Sequence, residues 1–298
     1  MKIGVLTSQP DHPLLVEMAA LLVADHEVVW LDPVGASAVV AGSGSGVSGG
    51  VGVADACVVS SGLADVYVLK DRSDEALAWA RWVEECGVPV VNSAAATARC
   101  QDRVVMGELA RGAGLPFAGT WPAGRLGGLA REGLGGLGVD FPVVVKSRRS
   151  RRHDVVARVD DWAQLRLLGA AWADEPVVVQ PFTANSGWDY KMWVICGRVF
   201  AGLRRSELAG GQGRGVTLPL AREEIPPGWL ELVRGVGSVF SLDVYGVDVV
   251  DAGGGVPLIV DVNAFPGIRG QLGAAEALAQ FVVRVGAGGV AAVSGSSL

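Results

Sequence analysis

Apolar residues in the first third of the chain fall in short solid blocks: KIGVL at 2–6, EVVWL at 27–31, VYVLK at 66–70 and VPVV at 88–91. Blocks of this length, separated by longer segments, read as strands buried in a sheet. The segments at 13–24 and 73–86 read as helices, the second opened by Ser73 as N-cap. This β-α-β rhythm predicts a parallel sheet in an N-terminal α/β unit. Residues 92–113 read as a further helix, stopped by Gly112, Gly114 and Pro116. Beyond it strands are expected at 117–121, 141–146 and 175–182, then two within WDYKMWVICGRVFAGLRR at 188–205. The last two, 247–250 and 256–262, flank the turn Ala252-Gly253-Gly254-Gly255 as a β-hairpin.

That hairpin carries the first chemistry. Asp261 and Asn263 are two residues apart on one strand and share a face, and Asp248 joins them if Asp251 pairs with Val256 across the turn. Oxygen ligands without His or Cys suit a hard cation, and Mg²⁺ that keeps several waters and binds phosphates is the expected occupant. The plainer reading leaves both aspartates in solvent at strand ends, with Asn263 opening a turn before Pro266. On the hairpin alone both readings stand.

Basic residues recur at the ends of the preceding strands. FPVVVK at 141–146 places Lys146 at the end of a buried strand, before the loop SRRSRRHD that holds Arg148, Arg149, Arg151, Arg152 and His153. A lysine so placed can set its ammonium on a phosphate, and the arginines add anion contacts. The same loop also reads as a solvated hairpin tip. Lys191, Arg204 and Arg205 repeat the arrangement on the next hairpin, and this succession ending at acidic strands favours an anion site.

Composition narrows the class. A chain of 298 residues, half of them hydrophobic, forms two or three compact units. A net charge of −6 argues against general nucleic-acid affinity. Cys57, Cys86, Cys100 and Cys196 are far apart and follow no ligand spacing, which argues against zinc and fits reduced, buried thiols in a cytoplasm. No apolar run has the length of a membrane span or a secretory signal. The expectation is a cytoplasmic protein with a small-molecule substrate and no nucleic-acid or membrane partner; a homodimer is left open. Gly44-x-Gly46-x-x-Gly49 formally matches a dinucleotide fingerprint, but no strand precedes it and no helix opens on it, so it reads as a flexible loop.

Taken together, Lys146, the VVVQPF strand, Tyr190-Lys191, Arg204-Arg205 and DVNAFPG at 261–267 resemble the ATP-grasp superfamily, in order and spacing across residues 100–280. The resemblance implies an α/β and α+β chain in three parts: a Rossmann-like (pre-ATP-grasp) unit over 1–114, a central subdomain over 115–183 and a metal-bearing subdomain over 184–298. It implies ATP between the last two, with Lys146 on the phosphates, Gln180, Pro181 and Phe182 as the adenine hinge, Lys191 near the nucleotide, and Asp248, Asp261 and Asn263 on Mg²⁺. Arg103 stands where such proteins usually carry a phosphate-binding lysine. A second departure is the loop after Lys146, normally glycine-rich and here without glycine.

Two branches of the superfamily share these features. The carboxylate-amine ligases, of amino-acid or peptide type, imply an acyl phosphate attacked by an amine, with Arg204 and Arg205 on the phosphoryl group and oxyanion and Arg269 clamping a carboxylate. The inositol polyphosphate kinases imply phosphorylation of a hydroxyl, with the arginine loop on a polyanion and His153 near the acceptor. The N-terminal unit favours the ligase, and the loop favours the kinase. A nucleotide-binding module without turnover is the third reading, supported only by Arg103. Two side-chain expectations complete the picture: the head of Lys146 lies outside the core, and Asp248 and Asp261 repel each other.

Overall fold

The computed structural model describes residues 1–36, 62–151, 153–209 and 215–288. The glycine-rich segment at 44–49, Cys57 and Arg152 lie outside these residues.

The first sheet is parallel, in the order β2-β1-β3-β4, from β1 (Lys2–Leu6), β2 (Glu27–Leu31), β3 (Val66–Leu69) and β4 (Val90–Val91). Helix α1 (Pro13–Leu22) joins the first two strands, and α2 (Asp74–Glu85) follows β3. Ser73 caps α2, its side chain accepting from the Ala76 N–H as the sequence predicts. The expected single helix over 92–113 is two: α3 (Ala94–Arg99) and α4 (Arg103–Gly112). Ser93 and Asp102 each cap one, and Asp102 accepts from Val104 N–H, so the chain restarts a helix rather than continuing one.

The second sheet, β5-β8-β6-β7, is antiparallel and is formed by β5 (Trp121–Arg125), β6 (Val143–Ser147), β7 (Val156–Val159) and β8 (Pro176–Pro181). Helices α5 (Leu126–Glu132) and α6 (Trp162–Ala171) cover one face through Leu126, Leu129 and Leu165. Strand β5 starts where the sequence reading ended its strand, because residues 117–118 leave this sheet to pair with Ile259 of the third.

The third sheet is antiparallel in the order β11-β10-β9-β12-β13, from β9 (Trp188–Ile195), β10 (Arg198–Arg205), β11 (Leu218–Pro219), β12 (Val244–Asp251) and β13 (Pro257–Ala264). Helix α7 (Trp229–Phe240), together with α3 and α4, packs its apolar side onto Met192, Val194, Val247 and Val249. Helix α8 (Ala274–Gly286) instead returns to the first sheet and shares a core with α1, where Leu278, Phe281 and Val282 join Leu14, Leu15 and Met18. The sheets change at residues 114–120 and 182–187; the core of the second sheet lies between these junctions, whereas two other cores join residues from before the first to after the second. Cys100 is buried, Cys196 half-buried and Cys86 exposed, so the expected burial holds for one of these three free thiols.

Among the described residues no helix is long and apolar enough to cross a membrane.

Candidate active site

The face of the third sheet turned away from α7 floors a cleft of ≈ 1240 Å³ that all three sheets line. Cross-strand register arranges its side chains in rows. Lys191 on β9 stands opposite Asp248 on β12, which stands opposite Asp261 on β13. In the flanking rows Arg204 faces Asp189, and Gly246 faces Asn263.

The hairpin reaches this arrangement by a route the sequence reading did not foresee. Asp251 pairs with Pro257, not Val256. A one-residue slip of this kind sends every side chain to the other face. The register shifts again between Asp248 and Val249, a bulge with Val260 as the extra residue, and the shift restores Asp248 to the face of Asp261. The bulge is held from outside the hairpin: Ile259 N–H donates to Pro116 O, Ala118 N–H donates to Ile259 O, and Lys146 Nζ donates to Val260 O at 2.7 Å.

Asp251 lies on the other face as expected and serves the turn, its Oδ1 accepting from Gly253 N–H at 2.8 Å and Gly255 N–H at 3.0 Å. Asn keeps that oxygen, so Asp251→Asn should leave nucleotide affinity and turnover within about twofold of wild type. Asp251→Ala should cost about 1–2 kcal/mol in denaturant unfolding, because two turn N–H groups lose their acceptor. A large loss of turnover in Asp251→Asn would require redrawing the face.

Cations flank the two facing carboxylates of the middle row. Lys191 Nζ lies 2.8 Å from Asp248 Oδ2 and 3.3 Å from Asp189. Arg103, the first residue of α4, is buried and bridges three elements: Nη1 donates to Ser147 O at 2.7 Å and to Asp154 at 2.8 Å, and Nη2 lies 3.5 Å from Asp261 Oδ2. Burial opposes its charge, but Asp261 and Asp154 outweigh it and raise its pKa. Burial likewise pushes the Asp261 carboxyl upward, and Arg103, Lys146 and Lys191 overcome that and hold it below the ordinary carboxylate range. Burial also brings the Lys146 ammonium down to about 8, with Asp261 and Asp248 offsetting part of the effect. The head of Lys146 is therefore inside the molecule, 5% exposed, contrary to expectation. Asp248 and Asp261 stand directly opposite each other, with Lys191 against the first and Arg103 against the second.

The donor set fits a hard cation. Asp261 Oδ1 is buried without a hydrogen-bond partner, the kind of orphan a metal would satisfy. Among the described residues no three His, Cys, Asp or Glu side chains group as a metal cage. Two carboxylates and one amide suit Mg²⁺ that shares its shell with phosphates and water.

The other expected residues divide. Gln180, Pro181 and Phe182 line the cleft wall. The side-chain amide of Gln180 donates to Thr120 Oγ1 at 2.8 Å, and Phe182 N–H donates to Pro142 O. Arg204 lines the cleft with its Nε buried and unpartnered. Arg205 does not reach it: strand alternation sends it to the opposite face, where its guanidinium covers the Trp188 ring at 4.5 Å. Arg269 is exposed on the rim.

The arginine loop is tied down. Arg148 is ion-paired with Asp102 at 2.9 Å, Arg151 with Glu175, Arg103 N–H donates to Arg148 O, and Ser150 N–H donates to Gln101 O. Arg149 lines the cleft.

Sequence reasoning missed the wall that the first sheet supplies. Ser8, Lys70, Asp71 and Arg72 follow strands β1 and β3 and line the same cleft. His12 lies behind them, 3% exposed, with neither ring nitrogen bonded. Burial first, then Lys70 and Arg269, lower its pKa from 6.5 to about 4. A group with a depressed folded pKa contributes stability above its unfolded value that is lost as pH falls toward the folded one. The chain should therefore lose about 2 kcal/mol through His12 between pH 7.5 and 5. Denaturant unfolding at both pH values should show that loss shrinking in His12→Leu; an unchanged loss would show that His12 titrates alike in the folded and unfolded chain.

No family model and no curated protein matches the chain in sequence. Solved structures do match it in fold. A RimK domain protein ATP-grasp from Sphaerobacter thermophilus superposes with TM-score 0.66 at 21% identity, over 95% of this chain and all of the other. D-alanine–D-alanine ligase from Bacillus anthracis, complexed with ATP, gives 0.69 at 16% identity over 97% and 99%. An L-amino acid ligase from Bacillus licheniformis gives 0.62 at 15% identity over 94% of this chain and 69% of that one. The chain has the ATP-grasp fold.

Proposed function

We propose that this chain is an ATP-dependent carboxylate-amine ligase that joins an amino acid or peptide through an acyl phosphate. The observation that carries the reading is the charged row of Lys191, Asp248, Asp261, Arg103 and Lys146, closed over by a first sheet that lines the same cleft. Matching solved structures include ligases of this kind.

In this reading Lys146 and Arg149 hold the nucleotide phosphates, and the hinge carbonyls of residues 180–182 meet the adenine. Asp248, Asp261 and Asn263 would hold Mg²⁺, which when bound neutralises charge on the transferring phosphoryl group. Arg204 lines the cleft with its Nε unpartnered, and in this reading its guanidinium stabilises charge on the phosphoryl oxygens and the tetrahedral oxyanion. Arg205, stacked on Trp188, has no part. No side-chain nucleophile is needed.

The hydroxyl-kinase alternative drew on the arginine loop as a free polyanion clamp. Arg148 and Arg151 are already paired with Asp102 and Glu175, which leaves the ligase the better supported reading. Incubation with ATP, Mg²⁺ and pooled amino acids should release free phosphate in proportion to ADP. ADP formed with its phosphate transferred to a product hydroxyl would make the protein a kinase.

A further inference from the structure

Arg103 stands where ATP-grasp proteins usually carry a phosphate-binding lysine, yet its guanidinium is spent on the protein. It opens α4 with its side chain 4% exposed. Nη1 donates to Ser147 O at 2.7 Å and to Asp154 Oδ2 at 2.8 Å, and Nη2 faces Asp261 Oδ2 at 3.5 Å. Nε is buried without a partner. One cation set between two carboxylates leaves the trio net negative, which does not draw a phosphate. The three acceptors sit on the end of β6, on the loop after it and on β13. A planar fork reaches all three at once, whereas the donors of a lysine radiate from a single atom.

The effect falls on Asp261. Its Oδ2 faces Arg103 and lies 3.5 Å from Asn263 Nδ2, while Oδ1 is buried without a partner. Rotation of a carboxylate about its last bond is soft, so a partner on one oxygen decides where the other points. Asp154 carries the constraint into the arginine loop. It lines the cleft, and the neck of its loop is closed by Ser147 N–H donating to Val155 O at 2.8 Å and Val155 N–H donating to Ser147 Oγ at 2.9 Å. We propose that Arg103 is a positioning residue that holds Asp261 with Oδ1 open to the divalent cation, and that Asp154 in turn holds Arg103. Neither binds a nucleotide phosphate. The inference rests on the assignment of Asp261 to Mg²⁺ and stands for a ligase and a kinase alike. Groups that orient a metal ligand are worth about 10- to 100-fold in metal affinity or activity.

Calorimetry with a non-hydrolysable ATP analogue, once with Mg²⁺ and once with a chelator, gives the factor by which the metal tightens nucleotide binding. Arg103→Lys keeps the charge and loses the fork, so that factor should fall by about tenfold or more while metal-free affinity stays within about twofold of wild type. A factor equal to that of wild type would overturn the proposal, because a cation that merely holds phosphate survives as lysine. Asp154→Asn and Asp154→Ala lose the same charge, but only asparagine keeps an oxygen for Nη1. The metal factor should stay close to wild type in Asp154→Asn and drop about tenfold in Asp154→Ala. Equal factors in these two variants would overturn the role of Asp154, and the pair decides the matter even where Arg103→Lys does not fold. No tightening by Mg²⁺ in wild type would remove the metal assignment beneath the proposal; phosphate release with pooled amino acids tests the ligase reading separately.

Discussion

Asp261→Asn should lower ATP-dependent phosphate release by at least ~100-fold, since a charge-stabilising group at a phosphoryl-transfer site is worth several kcal/mol and each 1.36 kcal/mol is tenfold in rate. The variant should also be less stable. Asp248 lies 2.8 Å from Lys191, and Asp261 answers Arg103, Lys146 and Lys191, so removing its charge relieves some repulsion with the facing Asp248 but strips three buried cations of their shared counter-ion. Breaking a buried pair at one partner costs about 3–5 kcal/mol; Arg103 keeps Asp154, which places the expected loss near the lower end, about 3 kcal/mol. Calorimetry gives an independent readout: Mg²⁺ should strengthen ATP binding to wild type and leave that of Asp261→Asn nearly unchanged. Equal Mg²⁺ dependence in both proteins would show that the carboxylate is structural only.

Lys146→Ala should weaken ATP binding by about 1.5–3 kcal/mol, the worth of a charge-assisted contact to phosphate, or roughly 10- to 150-fold in Kd. It should also cost about 1–3 kcal/mol of stability, because Val260 O at the bulge then loses its donor inside the protein. Lys146→Arg retains a donor and a charge and should recover part of both. The two losses are separable by denaturant unfolding without nucleotide and by ATP titration of the folded variant. Affinity equal to wild type in a folded Lys146→Ala would remove Lys146 from the phosphate site and leave it as the clasp of the bulge.

Both expectations turn on what could be read before the fold was known. Solid apolar blocks specified β1, β2 and β3 nearly to the residue; β1 and β3 are buried on both faces and need a continuous apolar run, whereas β2 is the half-exposed edge strand. Ser73 specified the start of α2, since an N-cap acts within three residues. Helices α5 and α6 were missed: the first lies in a glycine-rich stretch and the second is only partly apolar, so their helicity comes from packing on the second sheet through Leu126 and Leu165. Chemistry followed the same division. Lys146, Lys191, Asp248, Asp261 and Asn263 were legible because oxygen and nitrogen side chains interrupting apolar strands need a partner.

Their common face was not decided by the hairpin itself. Turn length alone would have sent Asp248 to the wrong side, and only the bulge at Val260 brings it back. Residues 116–118 and Lys146, distant in sequence, hold that bulge. Strand alternation, once β10 was placed, separated Arg204 from its neighbour Arg205. The wall of Lys70, Arg72 and His12 had no local signature at all. Each is an ordinary loop residue until α8 folds back onto α1 and the first sheet closes against the loop after β13. Sequence therefore determined the strands and which groups carry charge. Tertiary structure decided which of those charges face one another, because facing is a property of register and of contacts between segments far apart in the chain.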